Sequence, residues 1–373
     1  MDISSEIVHS LLPMFLVSSL GTSVAAVGLI EGIAEATSQI VKIFSGSLSD
    51  YLGNRKWLAV AGYALGAASK PFFAIAASAH VVLLARFVDR IGKGVRGAPR
   101  DALVADITPL DCRGAAFGLR QSLDTVGAFT GPLIATGLML LWIDDYRRIF
   151  WIAVIPGALA VLLLSLGVKE PAHASASGRI NPIHGSSLRQ LSAAYWRVVV
   201  IGTVFSLARF SEAFLVLRAM QGGIQPALVP LVMVAMNVVY SLSAYPFGKL
   251  ADSVDHMRLL VIGLGFLVCA DLVLAHGTTW VSVLAGMALW GLHMGMTQGL
   301  LAVMVAHTAP THLKGTAFGF FNLLSGSATL LASVIAGVLW ERLGAATTFH
   351  TSALFSAIAA VLILGHRRKH DGP

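Results

Sequence analysis

Twelve apolar segments recur along this chain, each close to the length that crosses a bilayer as a helix. They fall at about 3–20, 24–48, 57–77, 80–105, 114–141, 148–168, 195–220, 225–251, 257–276, 279–307, 315–341 and 346–365. A helix needs about 20 apolar residues to span the hydrocarbon core, where every backbone polar group must be bonded internally. The pattern predicts an all-α membrane protein with twelve transmembrane helices. Composition agrees: 12% of residues are charged and 56% are hydrophobic, whereas a soluble domain carries about 25% charge. The formal charge of +7 falls mostly between the segments, which fits membrane topology and not nucleic-acid binding. Cys112 and Cys269 have no partner motif, so neither a disulfide scaffold nor a cysteine metal site is expected. No basic region precedes the first apolar run, so no cleavable signal peptide is read.

The lysines and arginines of the short loops set the orientation. Arg55, Lys56, Arg113, Lys169, Arg179, Arg189, Arg258, Lys314 and Arg367 to Lys369 share one side. That side is expected to be cytoplasmic in an inner (plasma) membrane, with both termini on it. The polar stretch 169–190 is the one obvious linker. The expected units are a six-helix bundle over 1–168, a linker over 169–194, a second bundle over 195–366 and a tail over 367–373. The first segment is unusual because Asp2, Ser4, Ser5, Glu6 and His9 occupy its first half. Either its helix begins upstream of Met1 or it starts short.

The fourth segment concentrates charge. In RFVDRIGKGVRGAPRDALVAD (86–106), Arg86, Asp89, Arg90, Lys93 and Arg100 fall on one helical stripe about 100° wide. Charge at that depth is costly and must face a polar interior or a water-filled path. Arg86, Arg90 and Lys93 are therefore read as substrate-binding residues and Asp89 as a proton-handling group, while Arg100 and Asp106 are assigned to gating. Gly92, Gly94 and Gly97 form a GxGxxG, but no strand precedes it. They are read as helix-packing residues and not as a nucleotide loop. In the second segment Glu31 and Glu35 lie one turn apart on a stripe with Ser38, Lys42, Ser45 and Ser49. Two carboxylates that close repel when both are ionised, which favours a proton on one of them. Glu31 and Glu35 are thus candidate proton carriers, with Asp124 of the fifth segment, four residues from Arg120. In the second half of the chain, Asn237, Tyr240, His293 and Gln298 are candidate cavity liners, Arg209 and Glu212 are expected to pair, and Asp271 is read as a residue near an outer helix end.

Two units repeat about 200 residues apart. GSLSDYLGNRK (46–56) matches GKLADSVDHMR (248–258), and RGAAFG (113–118) matches KGTAFG (314–319). The chain therefore reads as two six-helix halves in parallel repeat. Gly46-x-Leu48-x-Asp50-x-x-Gly53-x-Arg55-Lys56 resembles the cytoplasmic signature between helices 2 and 3 of the major facilitator superfamily. Arg90 with Gly94 resembles its helix 4 signature. Gly127, Gly131, Pro132 and Gly137 resemble the Gly-Pro motif of its proton-coupled exporters. The resemblance implies two pseudo-symmetric bundles around a central cavity, worked by alternating access. It also implies gating or structural roles for Asp50, Gly53, Arg55, Arg113, Gly131, Pro132 and Asp252.

No nucleophile–base set, Walker motif or metal-ligand set is present in the sequence. The chain is expected to be a transporter and not an enzyme, without cofactor or bound metal. Its expected partners are a small-molecule substrate, protons and the lipid bilayer, without nucleic acid, and a monomer is expected. Proton-coupled efflux is the first reading. Proton-coupled import of an anionic metabolite is the alternative, and a non-transporting membrane sensor or assembly partner is a third.

Overall fold

A computed structural model describes residues 1–373 apart from 53, 110–112, 171–189, 252–253, 298, 311–312 and 369–373. The described residues form helices and no strands. The first six segments become α1 (Asp2–Met14), α2 (Val24–Leu52), α3 (Arg55–Ile75), α4 (Ala79–Ile107), α5 (Arg113–Leu141) and α6 (Tyr146–Gly167). The second six become α7 (Ala193–Leu207) with α8 (Ala213–Gln221), α9 (Leu231–Ala251), α10 (His256–His276), α11 (Trp280–Thr297) with α12 (Leu300–Thr308), α13 (Lys314–Leu343) and α14 (Ala345–Arg368). Spans 7 and 10 are thus each built from two helices, and span 1 continues α1 through one wider π turn at Phe15–Ser19. Prolines lie inside α1, α3, α4, α5, α6 and α9. Each removes a helical hydrogen bond, a usual cause of a bend.

Eight described helices are long and apolar enough to cross a membrane by composition alone. The exceptions have local reasons. Span 4 carries too much charge, spans 7 and 10 are interrupted, and α1 is short and polar. The polar residues of α1 turn inward: Ser4 donates to the Ala153 carbonyl at 2.6 Å, and Ser5 lies 3.2 Å from the Lys70 ammonium. Its apolar residues Ile7, Val8, Leu11 and Leu12 are buried as well. This helix is a wedge inside the first half and presents little surface to lipid.

Helix pairing repeats with an offset of six spans. Spans 2, 3 and 6 pack on 4, 4 and 3, as spans 8, 9 and 12 pack on 10, 10 and 9. Span 1 packs on 5 as span 7 packs on 11. The halves meet along two seams, span 2 against 11 and span 5 against 8. The first seam is lined by small residues: Gly28 faces the Ser333 carbonyl, Gly32 faces Leu330, Gly326 faces Ala36 and Gly337 faces Ala25. Close backbone approach through small residues drives helix association where water offers no hydrophobic force.

We call the end where α6 stops and α7 begins the linker side, and the other the far side. One apolar core crosses both halves toward the far side, with Phe15, Phe73, Phe150, Phe210, Phe214, Trp290 and Trp340 in it. Two smaller cores, around Tyr195 and around Leu260, belong to the second half alone.

Candidate functional site

The charges of span 4 meet partners from spans 1, 2 and 3 in three layers. Because α2 and α4 run in the same direction, Glu31 and Glu35, one turn apart, match Arg86 and Arg90, also one turn apart. Arg86 makes a two-pronged bond to Glu31, with Nε to Oε1 at 3.0 Å and a second nitrogen to Oε2 at 2.7 Å. Asp89 lies 3.8 Å from Arg86 and 2.7 Å from the Lys70 ammonium, and Ser69 donates to it at 3.4 Å. The four ionic side chains of this layer are 0–4% exposed. The layer is sealed. Arg86, read as a substrate ligand, and Glu31 and Asp89, read as proton carriers, do not open onto the cavity, because each already holds an opposite charge within the bundle.

The second layer is open. Arg90 holds Glu35 at 3.0 Å, and the Glu35 side chain keeps 30% of its surface exposed. Lys93 is exposed, with no carboxylate within 4 Å among the described residues. His9 stands between two acids, 3.5 Å from Glu6 and 3.8 Å from Glu31. Arg96 lies over the Tyr63 ring at 4.9 Å and reaches Asp2 at 3.5 Å. The network sets cations Lys70, Arg86, Arg90, Lys93 and Arg96 against carboxylates Asp2, Glu6, Glu31, Glu35 and Asp89, with Lys42 of span 2 lying against Gly97.

The third layer faces the linker side. Asp124 accepts from Arg100 at 3.3 Å and from Arg120 at 3.1 Å, and Asp101 pairs with both arginines. Beyond it, Arg55 of α3 pairs with Asp106 and donates to the Ala102 carbonyl at 3.2 Å, while its backbone N–H donates to Glu170 at 2.9 Å. This contact ties α3 to α4 within the first half.

Glycines set these distances. Gly92 lies against Gly62 and Gly66 of α3, and Gly94 lies against Ser38 and Val41 of α2, so the motif of span 4 packs helices. Gly127 and Gly131 receive the side-chain stems of Asp2 and Glu6, which brings the acids of α1 onto span 5. Pro132 is buried beside them, and its carbonyl accepts from Thr136 at 2.9 Å.

The second half contributes less charge. Span 7 opens between Ala208 and Glu212, where Ser211 N–H donates to Ser333 at 3.1 Å and Ser352 donates to the Ala208 carbonyl at 2.9 Å. The expected Arg209–Glu212 pair is absent among the described ion pairs. It needed an intact helix turn, and the helix is open there. Glu212 lies within electrostatic reach of His9, Arg209, Glu6 and Glu35. Asn237 is nearly buried and donates to the Ala128 carbonyl at 3.4 Å, joining span 8 to span 5. Tyr240 is half-buried beside Arg209 and Glu212. His293, expected to line the cavity, is 0% exposed. It stacks on Phe205 and bonds the Gly263 carbonyl at 2.8 Å, so it packs spans 7, 9 and 10 together. Gly53, Asp252 and Gln298 lie outside the described residues, as do the side chains of Asp50 and Arg113. Lys70 and Glu6 join the network without having been singled out as site residues. The signal for Lys70 was a lone lysine in the middle of an otherwise apolar span.

This arrangement can bind and release an ionic group through Glu35 and Lys93 without dismantling the sealed layer beneath. The family model described as Major Facilitator Superfamily matches residues 1–332 and 214–373. This chain belongs to the major facilitator superfamily. It is a multi-pass membrane transporter for a small-molecule substrate, and not an enzyme. It is 28% identical over 369 residues to an uncharacterized MFS-type transporter of Methanocaldococcus jannaschii, covering 97% of this chain and 91% of that one. It is 21% identical over 344 residues to the quinolone resistance protein NorA of Staphylococcus aureus, covering 90% and 86%. The nucleoside transporter NupG superposes with a TM-score of 0.81 at 13% identity, over 98% of this chain and 95% of that one. A bacterial homologue of the human lysosomal transporter Spinster, solved inward-facing and occupied, gives 0.80 at 15% identity, over 98% and 94%. The superfamily transporter thus has the twelve-helix fold its repeats predicted.

Proposed function

We propose that this transporter is a proton-coupled exporter of the inner (plasma) membrane, with both termini and the linker cytoplasmic, acting as a monomer. Units 1–168 and 195–366 rock about the cavity to give alternating access. The observation that carries the reading is Glu35, a carboxylate open to the cavity and held by a single arginine. A proton on Glu35 removes the charge that holds Arg90, and the freed cation then biases which state of the transporter is favoured. Lys93, Arg90, Asn237 and Tyr240 supply the substrate contacts, and Glu212 stands opposite as the acid of the second half. Asp124 is reached from the linker side. Arg55, Arg100 and Asp106 hold the inner gate together with Asp50, Gly53, Arg113 and Asp252, and Gly131 and Pro132 shape span 5.

The resistance protein NorA supports the direction, as does the Gly-Pro stretch of span 5. Import of an anionic metabolite is the second reading, and the pairing of most span 4 cations with carboxylates counts against it. The test is Glu35→Gln in proteoliposomes with an imposed pH gradient and a panel of cationic, neutral and anionic dyes. Gradient-driven transport is expected to fall at least tenfold, with insertion and thermal unfolding unchanged. Unaltered proton-driven flux in that variant would refute the role.

A further inference from the structure

Asp271 stands apart from every charge described so far. It lies on α10, little more than one turn before the far-side end at His276, and it is 0% exposed. Neither carboxyl oxygen has a hydrogen-bond partner among the described residues. The main elements packed against α10 are α11 and α14. From α14 the polar neighbour is the Ser352 hydroxyl, and no charged group acts on the acid. The titratable groups of these elements lie elsewhere. His276 and His350 meet edge to face at the exposed far end, and His293 turns to the Gly263 carbonyl, toward the linker side.

An ionised carboxylate without a partner is among the costliest groups to bury, and such a group keeps its proton instead. Ser352 fixes where that proton points. A serine hydroxyl has one proton and two acceptor lone pairs. Ser352 commits its proton to the Ala208 carbonyl at 2.9 Å. What remains to it is acceptor capacity, and only a protonated Asp271 can donate to that. Ala208 is the residue at which α7 stops and span 7 opens. Hydroxyl and released carbonyl therefore join span 12 to the opening that carries Arg209 and Glu212, with the acid of span 9 beside the hydroxyl.

We propose that Asp271 is a second proton-binding site, built into the second half, separate from the cavity carboxylates and linked through Ser352 to the opening of span 7. The site holds a proton as a neutral acid while span 12 lies on span 9. A small crevice lined by Leu207, Phe210, Ala336, Thr348, Ser352 and Phe355 lies beside the hydroxyl, on the apolar side of the acid.

The test uses the full chain in lipid vesicles at neutral pH. Its infrared spectrum should contain a protonated-carboxyl C=O band that is lost in Asp271→Asn and shifted in Ser352→Ala. Dicyclohexylcarbodiimide, which is lipophilic, should modify Asp271 by adding the acid O–H across one C=N bond, with the proton passing to nitrogen. A water-soluble carbodiimide should leave Asp271 untouched. Peptide mapping on the unsubstituted chain reads this second result even if Asp271→Asn fails to fold. A spectrum without that band, or equal modification by both reagents, would overturn the assignment. Neither readout depends on transport, so the outcome is independent of the role of Glu35.

Discussion

The two halves share one helix plan and differ in how they use charge. The first half embeds five cations and five carboxylates among spans 1 to 4 and satisfies most of them by mutual pairing. The second half keeps Arg209 and Glu212 at the opening of span 7, a buried histidine between spans 9 and 10, and Asp271 alone. A repeat therefore constrains backbone packing far more than it constrains side-chain chemistry. The offset-by-six pairing of helices holds throughout, while the residues that carry ions are concentrated on one side of the pseudo-symmetry axis.

Four substitutions sharpen that contrast. The largest effect is expected from Glu31→Gln, which leaves Arg86 buried without its counter-charge. Removing one partner of a buried pair costs about 3–5 kcal/mol, so the midpoint of thermal unfolding in detergent should drop sharply. The double variant Glu31→Gln with Arg86→Met should recover much of the loss. An unchanged midpoint in the single variant would mean that the first half does not depend on its sealed layer. A smaller effect is expected from Gly28→Val at the seam of spans 2 and 11, where a side chain meets the Ser333 carbonyl and Phe214. Overpacking costs about 1–3 kcal/mol, and transport should fall with it. Gly137→Ala, with nothing within 4 Å of an added methyl group, should match the parent chain in both assays. A small stability effect is also expected from Lys93→Gln. This lysine holds no carboxylate, so unfolding should move by no more than about 0.5 kcal/mol, while the apparent affinity for substrate changes. A loss of stability comparable to that of Glu31→Gln would place Lys93 in the structural network and not in the cavity.

Much of this was legible in the sequence. The twelve segments and the two repeated motifs gave the fold because length, hydropathy and self-similarity are properties of the chain itself. The stripe on span 4 was visible as a stripe. Its split into sealed Arg86 and Asp89 and open Lys93 was not, because helical periodicity gives a direction relative to the helix and not the identity of the neighbour. Lys70 and Glu31 supply that neighbour from other helices. The opening of span 7 left no clear mark, since the apolar run continues through Val204 to Leu217 apart from Ser206, Arg209, Ser211 and Glu212. Asp271 was read by its depth along span 9, whereas its burial follows from the direction in which it faces span 12. His293 was misplaced for the same reason.

The two seams differ in length. The seam of spans 2 and 11 is lined from Gly337 against Ala25 at the far side to Gly319 against Ile43 at the linker side. The seam of spans 5 and 8 is marked by Asn237 against Ala128 and, farther toward the far side, by the short turn at Pro226–Leu228. A door fastened along one full edge and latched at one corner swings about the fastened edge. Spans 2 and 11 would then act as the hinge post of this transporter, and spans 5 and 8 as its travelling edge.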